Sequence, residues 1–212
     1  MKSVLISIHP KWCDLIASGK KTIEVRRTRP KIETPFKCYI YCTKPKMITK
    51  YVFRPEDYPE YMRPEKTAFC KAPDASSPFC SEVNGNSKVI GEFVCDCITP
   101  LYNVCTDDWI LLCGGLHEIE KQLAGMACLT EAELHKYANG KHCFAWHISD
   151  LKIYDKPKEL SEFYRVCDFD KCDNCQHLYV ENTPSSYETW CEFDEKIPIT
   201  RPPQSWCYVE EV

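Results

Sequence analysis

The stretch Gly19-Lys20-Lys21-Thr22-Ile23-Glu24-Val25-Arg26 constrains the fold most, because it joins a helix stop to a strand with two unlike faces. Side chains alternate along a strand, so Ile23 and Val25 go to one face while Thr22, Glu24 and Arg26 go to the other. The second face is too charged for a core. With Lys20 and Lys21 at its mouth, it collects a hydroxyl, a carboxylate, a guanidinium and ammonium groups within a few residues. Such a row offers an acceptor beside several cations, which suits an anionic or nucleobase-bearing ligand. The same residues also fit a solvated strand face with cross-strand ion pairs.

The residues ahead of this stretch lead into it. Val4 to Ile8 is a short apolar, β-branched run that reads as a first strand. His9-Pro10 then opens a helix, with Pro suited to the first turn, Trp12, Leu15 and Ile16 at helical spacing, and Gly19 as the stop. His9, at the strand-to-helix turn, faces either solvent or the same polar row.

Length and charge limit what the chain does. At 212 residues it is read as one domain, 1–212, long enough to bury a core. No apolar run reaches the roughly 20 residues that span a bilayer, and Met1-Lys2-Ser3-Val4 runs straight into a strand, so a soluble, cytoplasmic protein with no membrane partner is expected. A formal charge of −4 argues against nonspecific coating of nucleic acid but leaves room for a local basic pocket. The 16 cysteines are unusual. Without an export signal they are expected to be reduced, and Cys38, Cys42, Cys95, Cys97 and Cys143 stand at apolar strand positions, where cysteine acts as a small hydrophobe.

Further strands follow. Phe36 to Thr43 is a clear one, with Tyr39 and Tyr41 opposite Cys38, Ile40 and Cys42; that aromatic pair either packs or stacks a base. From 44 to 87 the periodicity fails among prolines and charges, which reads as an insertion, a surface excursion or a lid offering Arg54 and Arg63. Lys88 to Ile98 is the longest strand candidate, in which Gly91 marks a bulge or a close backbone approach, and Cys95 and Cys97 share a face. Helical patterning runs from Trp109 to Ala124 with a break at Gly114-Gly115, so a helix is expected from about Leu116. Thr130-Glu131-Ala132-Glu133 is a capping box that starts a second helix ending at Gly140. Cys143 to Tyr154 reads as one strand containing His147.

The segment 164–200 is different in kind. Cys167, Cys172 and Cys175, with Cys191 further on, have spacing that suits a structural Zn²⁺, His177 being a substitute ligand. Free thiols in a loop are the alternative. The chain closes on a strand through Trp206 to Val209, and Arg201, Gln204 and Ser205 at its mouth suit a base edge, a phosphate or a hydrated turn.

The motif from Gly19 to Arg26, entered through the first strand and the His9-Pro10 helix, resembles the signature of the ASCH domain, a PUA-like family. The capping-box helix, the strand through His147 with Lys156-Pro157-Lys158-Glu159-Leu160, and the closing Pro-Gln-Ser-Trp segment are similar to bacterial and phage members. The resemblance implies an α+β fold, a PUA-like mixed β-barrel with flanking helices, carrying the 44–87 insertion and the Cys-rich segment outside the common barrel. It also implies a groove beside the first helix that binds RNA, a modified base or a nucleotide. Lys20, Lys21, Thr22, Glu24, Arg26, Arg201, Gln204 and Ser205 are the expected contacts. One bacterial branch that resembles this chain deacetylates N4-acetylcytidine with a lysine, a threonine and a distant glutamate. Lys21 matches the lysine, but Glu24 stands at the threonine position and Ala127 or a neighbour where the glutamate is expected. Lys21 and Glu24 are therefore catalytic only under the alternative of a modified-nucleoside amidohydrolase. A third alternative is a phage protein that sequesters a host nucleotide or binds a host protein.

Overall fold

The computed structural model describes residues 2–53, 56, 59–63, 68–81, 85–101, 118–165 and 197–210. Its first strand, β1 (Lys2–Ile8), is almost entirely buried, as its β-branched run requires. Helix α1 (Pro10–Ala17) follows at once, with Pro10 in its first turn and Pro10, Cys13 and Ile16 on the buried side. Gly19 leaves the helix with φ +72°, a left-handed conformation that glycine adopts without steric cost. The chain then enters β2 (Ile23–Arg26).

The crossover through α1 and β2 lets β3 (Phe36–Cys42) pair with β1 in parallel, which a tight hairpin could not do. Two antiparallel strands, β4 (Met47–Phe53) and β5 (Ala68–Pro73), form a separate ribbon within the segment expected as an insertion. A 3-10 turn, Pro78–Cys80, docks that segment back onto the body. Strands β6 (Val89–Cys95) and β7 (Ile98–Leu101) come next. Helices α2 (Glu118–Met126) and α3 (Glu131–Ala138) lead to β8 (Cys143–His147), β9 (Ser149–Lys158) and β10 (Trp206–Glu210).

The strands form a five-stranded sheet, β10-β1-β3-β6-β9, and a three-stranded sheet, β2-β8-β7. The fold is α+β with mixed sheets, as the resemblance implies. Trp146, from β8, is fully buried in a core otherwise built from β1, α1, β3 and β6, so the two sheets share one interior. A second core joins Ile23 and Val25 of β2 to Leu123, Ala127 and Leu134 around α2 and α3. This is the apolar face expected of β2. Its polar face is thereby turned away from this core.

Several expectations need correction. The run from Cys143 to Tyr154 is two strands in different sheets, because the chain leaves β8 at Ile148 and Asp150 takes φ 46°. The adjacent polar residues Ser149 and Asp150 shift the apolar positions from Trp146 and Ile148 to Leu151 and Ile153, a slip that the one-strand reading passes over. The run expected as one strand from Lys88 to Ile98 also divides, ending at Cys95 and resuming as β7. Cys95 is buried while Cys97 is exposed beyond the strand end, so the two thiols share no face. Tyr39 and Tyr41 lie in a third cluster with Leu5, Phe163 and Val209, where they pack and present no stacking surface.

Other expectations match. Thr130 and Glu133 form the capping box of α3, each side chain reaching the other's backbone N–H. At Gly91 a Cβ would run into Lys152 O, with Ile153 Cα 3.1 Å away, and the β3–β6 and β6–β9 registers both shift beside it. Buried thiols behave as hydrophobes: burial holds Cys13 and Cys38 well above the usual thiol range and pushes Cys95 up to about 12. The zinc ligand set Cys167, Cys172, Cys175, Cys191 and His177, the break at Gly114-Gly115, and Arg54 lie outside the described residues. Among the described residues no helix is long and apolar enough to cross a membrane.

Candidate functional site

Lys21 is fixed from both sides before its side chain makes any contact. Its backbone N–H donates to Leu15 O at 2.9 Å, so the last turn of α1 sets its position. Next to it, Thr22 N donates to Met126 O, and Thr22 O accepts from Ile148 N. The Lys21 side chain is only 3% exposed. Its ammonium donates to Ala127 O at 2.8 Å, just beyond the last turn of α2, where the helix dipole favours a cation. It also lies 3.2 Å from Glu24 Oε2 and 5.1 Å from the centre of the Trp12 ring.

Glu24, 6% exposed, stands between two cations. Its Oε1 is 3.2 Å from Arg26 Nη2, and the same Arg26 nitrogen donates to Ser7 O at 2.6 Å. The row thus runs Lys21, Glu24, Arg26, alternating in charge and anchored to backbone at each end. Two cations share one carboxylate, so the row keeps a net positive charge, and hydrogen-bonding capacity remains. Glu24 Oε2 and Arg26 Nε are buried polar atoms without a hydrogen-bond partner, the Lys21 contact being a charge contact of poor direction. Buried groups of this kind are rare unless a water, an ion or a ligand completes them.

This row forms one wall of a cleft of about 920 Å³. Ser7 ties in the opposite edge: its N–H donates to Ser205 O at 2.9 Å and its hydroxyl to Pro203 O at 2.7 Å, which brings Gln204 and Ser205 to the rim. Leu129, Glu133 and Tyr137 line another side, and Arg27 crosses to Tyr137, donating through both Nε and Nη2 to its carbonyl while its guanidinium lies over the ring. Four cations, Lys21, Arg26, Arg27 and Lys46, meet two carboxylates, Glu24 and Glu133, in the lining. A locally basic cleft therefore sits in an acidic chain.

Of the residues expected from the sequence, the cleft gathers Lys21, Glu24, Arg26, Gln204 and Ser205. Lys20 is exposed outside it, Thr22 contributes backbone contacts beside it, and Arg201 is exposed beyond the rim. Arg63 is exposed and does not line the cleft either. His9 does line it, its Nδ1 2.9 Å from Thr43 Oγ1. Burial of its ring, then the charges of Lys46 and Arg26, hold its pKa below the ordinary imidazole value, against a smaller opposite pull from Glu24. His147 is elsewhere, with Nε2 3.0 Å from Thr99 Oγ1. Trp12, Lys46, Arg27 and Tyr137 were not singled out as ligand contacts in the sequence. The helical spacing of Trp12 with Leu15 and Ile16 marks it as a core residue, and it does pack against the main core, but it stays half-buried and also lines the cleft.

Fold and site together define an α+β protein with mixed sheets and a basic, aromatic-edged cleft beside its first helix. Residues 6–85, a span that begins in β1 and ends inside the 44–87 segment, match the family model of the ASCH domain. That domain is a PUA-like fold, a class associated with RNA binding. Among solved structures, the ASCH protein from Zymomonas mobilis is similar at 18% identity, covering 99% of this chain and 88% of that one with a TM-score of 0.45. A mutant of the same protein is similar at 17% identity, covering 100% of this chain and 92% of that one with a TM-score of 0.47. None of the curated proteins compared matches the chain.

Proposed function

We propose that the cleft binds single-stranded RNA, a modified base or a nucleotide. The observation that carries this reading is the convergence of Lys21, Glu24 and Arg26 with Trp12, Gln204 and Ser205 around one cavity of about 920 Å³. Pockets of roughly 300–1,000 Å³ accommodate small ligands, and a nucleotide needs what this lining offers. Arg27 and Lys46 suit a phosphate, Trp12 and Tyr137 offer aromatic surface to a base, and Glu24 and Gln204 can meet a base edge.

The Lys21 contacts favour holding over cleaving. Its ammonium is engaged by Ala127 O and by Glu24, whereas a nucleophilic or basic lysine needs a free lone pair. Glu24 also occupies the place where the amidohydrolase branch has its threonine. Both points support a binding role.

Calorimetric titration of wild type and Arg26→Met with short RNAs and ribonucleotides tests the proposal, with circular dichroism to verify folding. Wild type is expected to bind at least one ligand, and the variant at least tenfold more weakly. Failure of wild type with every ligand removes the reading. Release of acetate from acetylated nucleosides by wild type would replace it with the hydrolase alternative.

A further inference from the structure

A second cavity, of about 310 Å³, adjoins the cleft on the side of the 44–87 segment. It shares His9, Trp12, Lys46 and Glu133 with the cleft, so the two spaces abut at these residues. Beyond these it adds Lys11 from α1 and Asp74 and Ser76 from the 44–87 segment. Trp12 divides the two spaces. Lys21, which lines the cleft, places its ammonium 5.1 Å from the Trp12 ring centre, and Lys11, which lines the smaller cavity, places its own at 4.6 Å.

The far wall of the smaller cavity is a built feature. Ser77, only 5% exposed, donates its hydroxyl to Pro10 O at 3.0 Å, and it accepts from Phe79 N at 3.2 Å. Phe79 packs against the main core, and Cys42 Sγ points at Phe79 O. The turn following Asp74 and Ser76 is thereby locked to the start of α1. Asp74 Oδ1 also accepts from Ser76 N at 3.0 Å, which fixes the polar edge of the wall.

Resting on the proposal that the cleft holds a nucleotide, we infer that the ligand continues past Trp12 and is at least a dinucleotide. One nucleotide occupies the cleft, the linking phosphodiester lies at His9 and Lys46, and the next nucleoside enters the smaller cavity beside Lys11, Asp74 and Ser76. The charges fit this path. A phosphodiester carries one negative charge for which Lys46 is common to both spaces, and the indole supplies the stacking surface between them. The polar pair Asp74 and Ser76 meets ribose hydroxyls or base amines. The 44–87 segment then acts as the wall of a second subsite.

Titration of wild type with the four ribonucleoside 5′-monophosphates and the matching 5′-phosphorylated dinucleotides tests the inference. The best dinucleotide is expected to bind at least tenfold tighter than its mononucleotide. Lys11→Glu and Ser76→Tyr, which reverse a charge and fill the smaller cavity, are expected to abolish that gain without changing mononucleotide affinity. Both positions are exposed, and circular dichroism verifies folding. Equal affinities for the two ligand lengths overturn the inference while leaving the proposed function intact, as does a gain that survives both variants. Absence of binding by wild type to either length overturns both together.

Discussion

Lys21 Nζ and Glu24 Oε2 stand 3.2 Å apart in a wall where neither residue is more than 6% exposed. Buried charges of opposite sign are stable only as a set, since removing one partner leaves the other without water. The set here is asymmetric. Lys21 keeps Ala127 O if Glu24 is lost, and Arg26 keeps Ser7 O, but both lose the carboxylate between them. Glu24→Ala is accordingly expected to cost about 3 kcal/mol, and Lys21→Met less, because Glu24 would retain Arg26. The double variant should fall short of the sum by about 1 kcal/mol or more. Urea unfolding of the four proteins checks this; strictly additive losses would show that the pair is not coupled.

Gly91 offers a test of the fold that does not involve the cleft. A Cβ there meets the backbone oxygen of Lys152 and lies 3.1 Å from Ile153 Cα, and backbone cannot yield as a flexible side chain would. Gly91→Ala should therefore lower stability by about 1–3 kcal/mol, the usual range for overpacking. A urea midpoint unchanged from wild type would mean that β6 and β9 move apart easily.

The parts of this molecule that were legible in its sequence are those determined locally. Alternation in β2 is a property of four consecutive residues, so the division of Ile23 and Val25 from Glu24 and Arg26 is visible without a fold. The α3 capping box and the Gly19 stop are local in the same sense. What could not be read were meetings between distant segments. Lys46 reaches the cleft only because β3 runs parallel to β1, and Tyr137 only because α3 packs over β2. Lys20 and Lys21 are adjacent and chemically alike, yet one is exposed and the other buried. The difference is made by Ala127, more than 100 positions along, and no feature of the lysine pair announces it. The change of sheet after Ile148 left a local trace, the slip in alternation at Ser149-Asp150, but a slip alone does not say that the next strand joins another sheet.

Ser77→Ala is a direct probe of how the 44–87 segment is attached. The hydroxyl accepts from Phe79 N and donates to Pro10 O in a nearly dry setting. Its removal leaves the Phe79 amide without its acceptor, at about 1–3 kcal/mol for a buried group, while the Pro10 carbonyl keeps its helical partner. Much of that loss should be local. Hydrogen exchange is expected to rise at Phe79 and Cys80 while β1 and β3 stay protected; unchanged exchange there would show that Phe79 packing alone holds the segment.

His9 makes ligand binding depend on pH in a direction opposite to its effect on the free protein. Its ring is partly buried and crowded by Lys46 and Arg26, with Glu24 pulling weakly the other way and Lys21 and Glu133 also in the lining, so its folded-state pKa lies below the ordinary imidazole value of 6.5. A histidine with a lowered pKa favours the folded state above the unfolded value. That contribution is lost as pH falls through 6.5 toward the folded value, because the unfolded chain binds the proton more readily. An anionic ligand beside the ring reverses the balance by stabilising the imidazolium. Binding should then take up a proton, and affinity for a phosphate-bearing ligand should tighten severalfold between pH 7.5 and pH 6, flattening in His9→Ala. Calorimetry in two buffers of different ionisation enthalpy reads the proton directly. An uptake of zero at pH 6, or a slope that persists in His9→Ala, would place the phosphate away from His9.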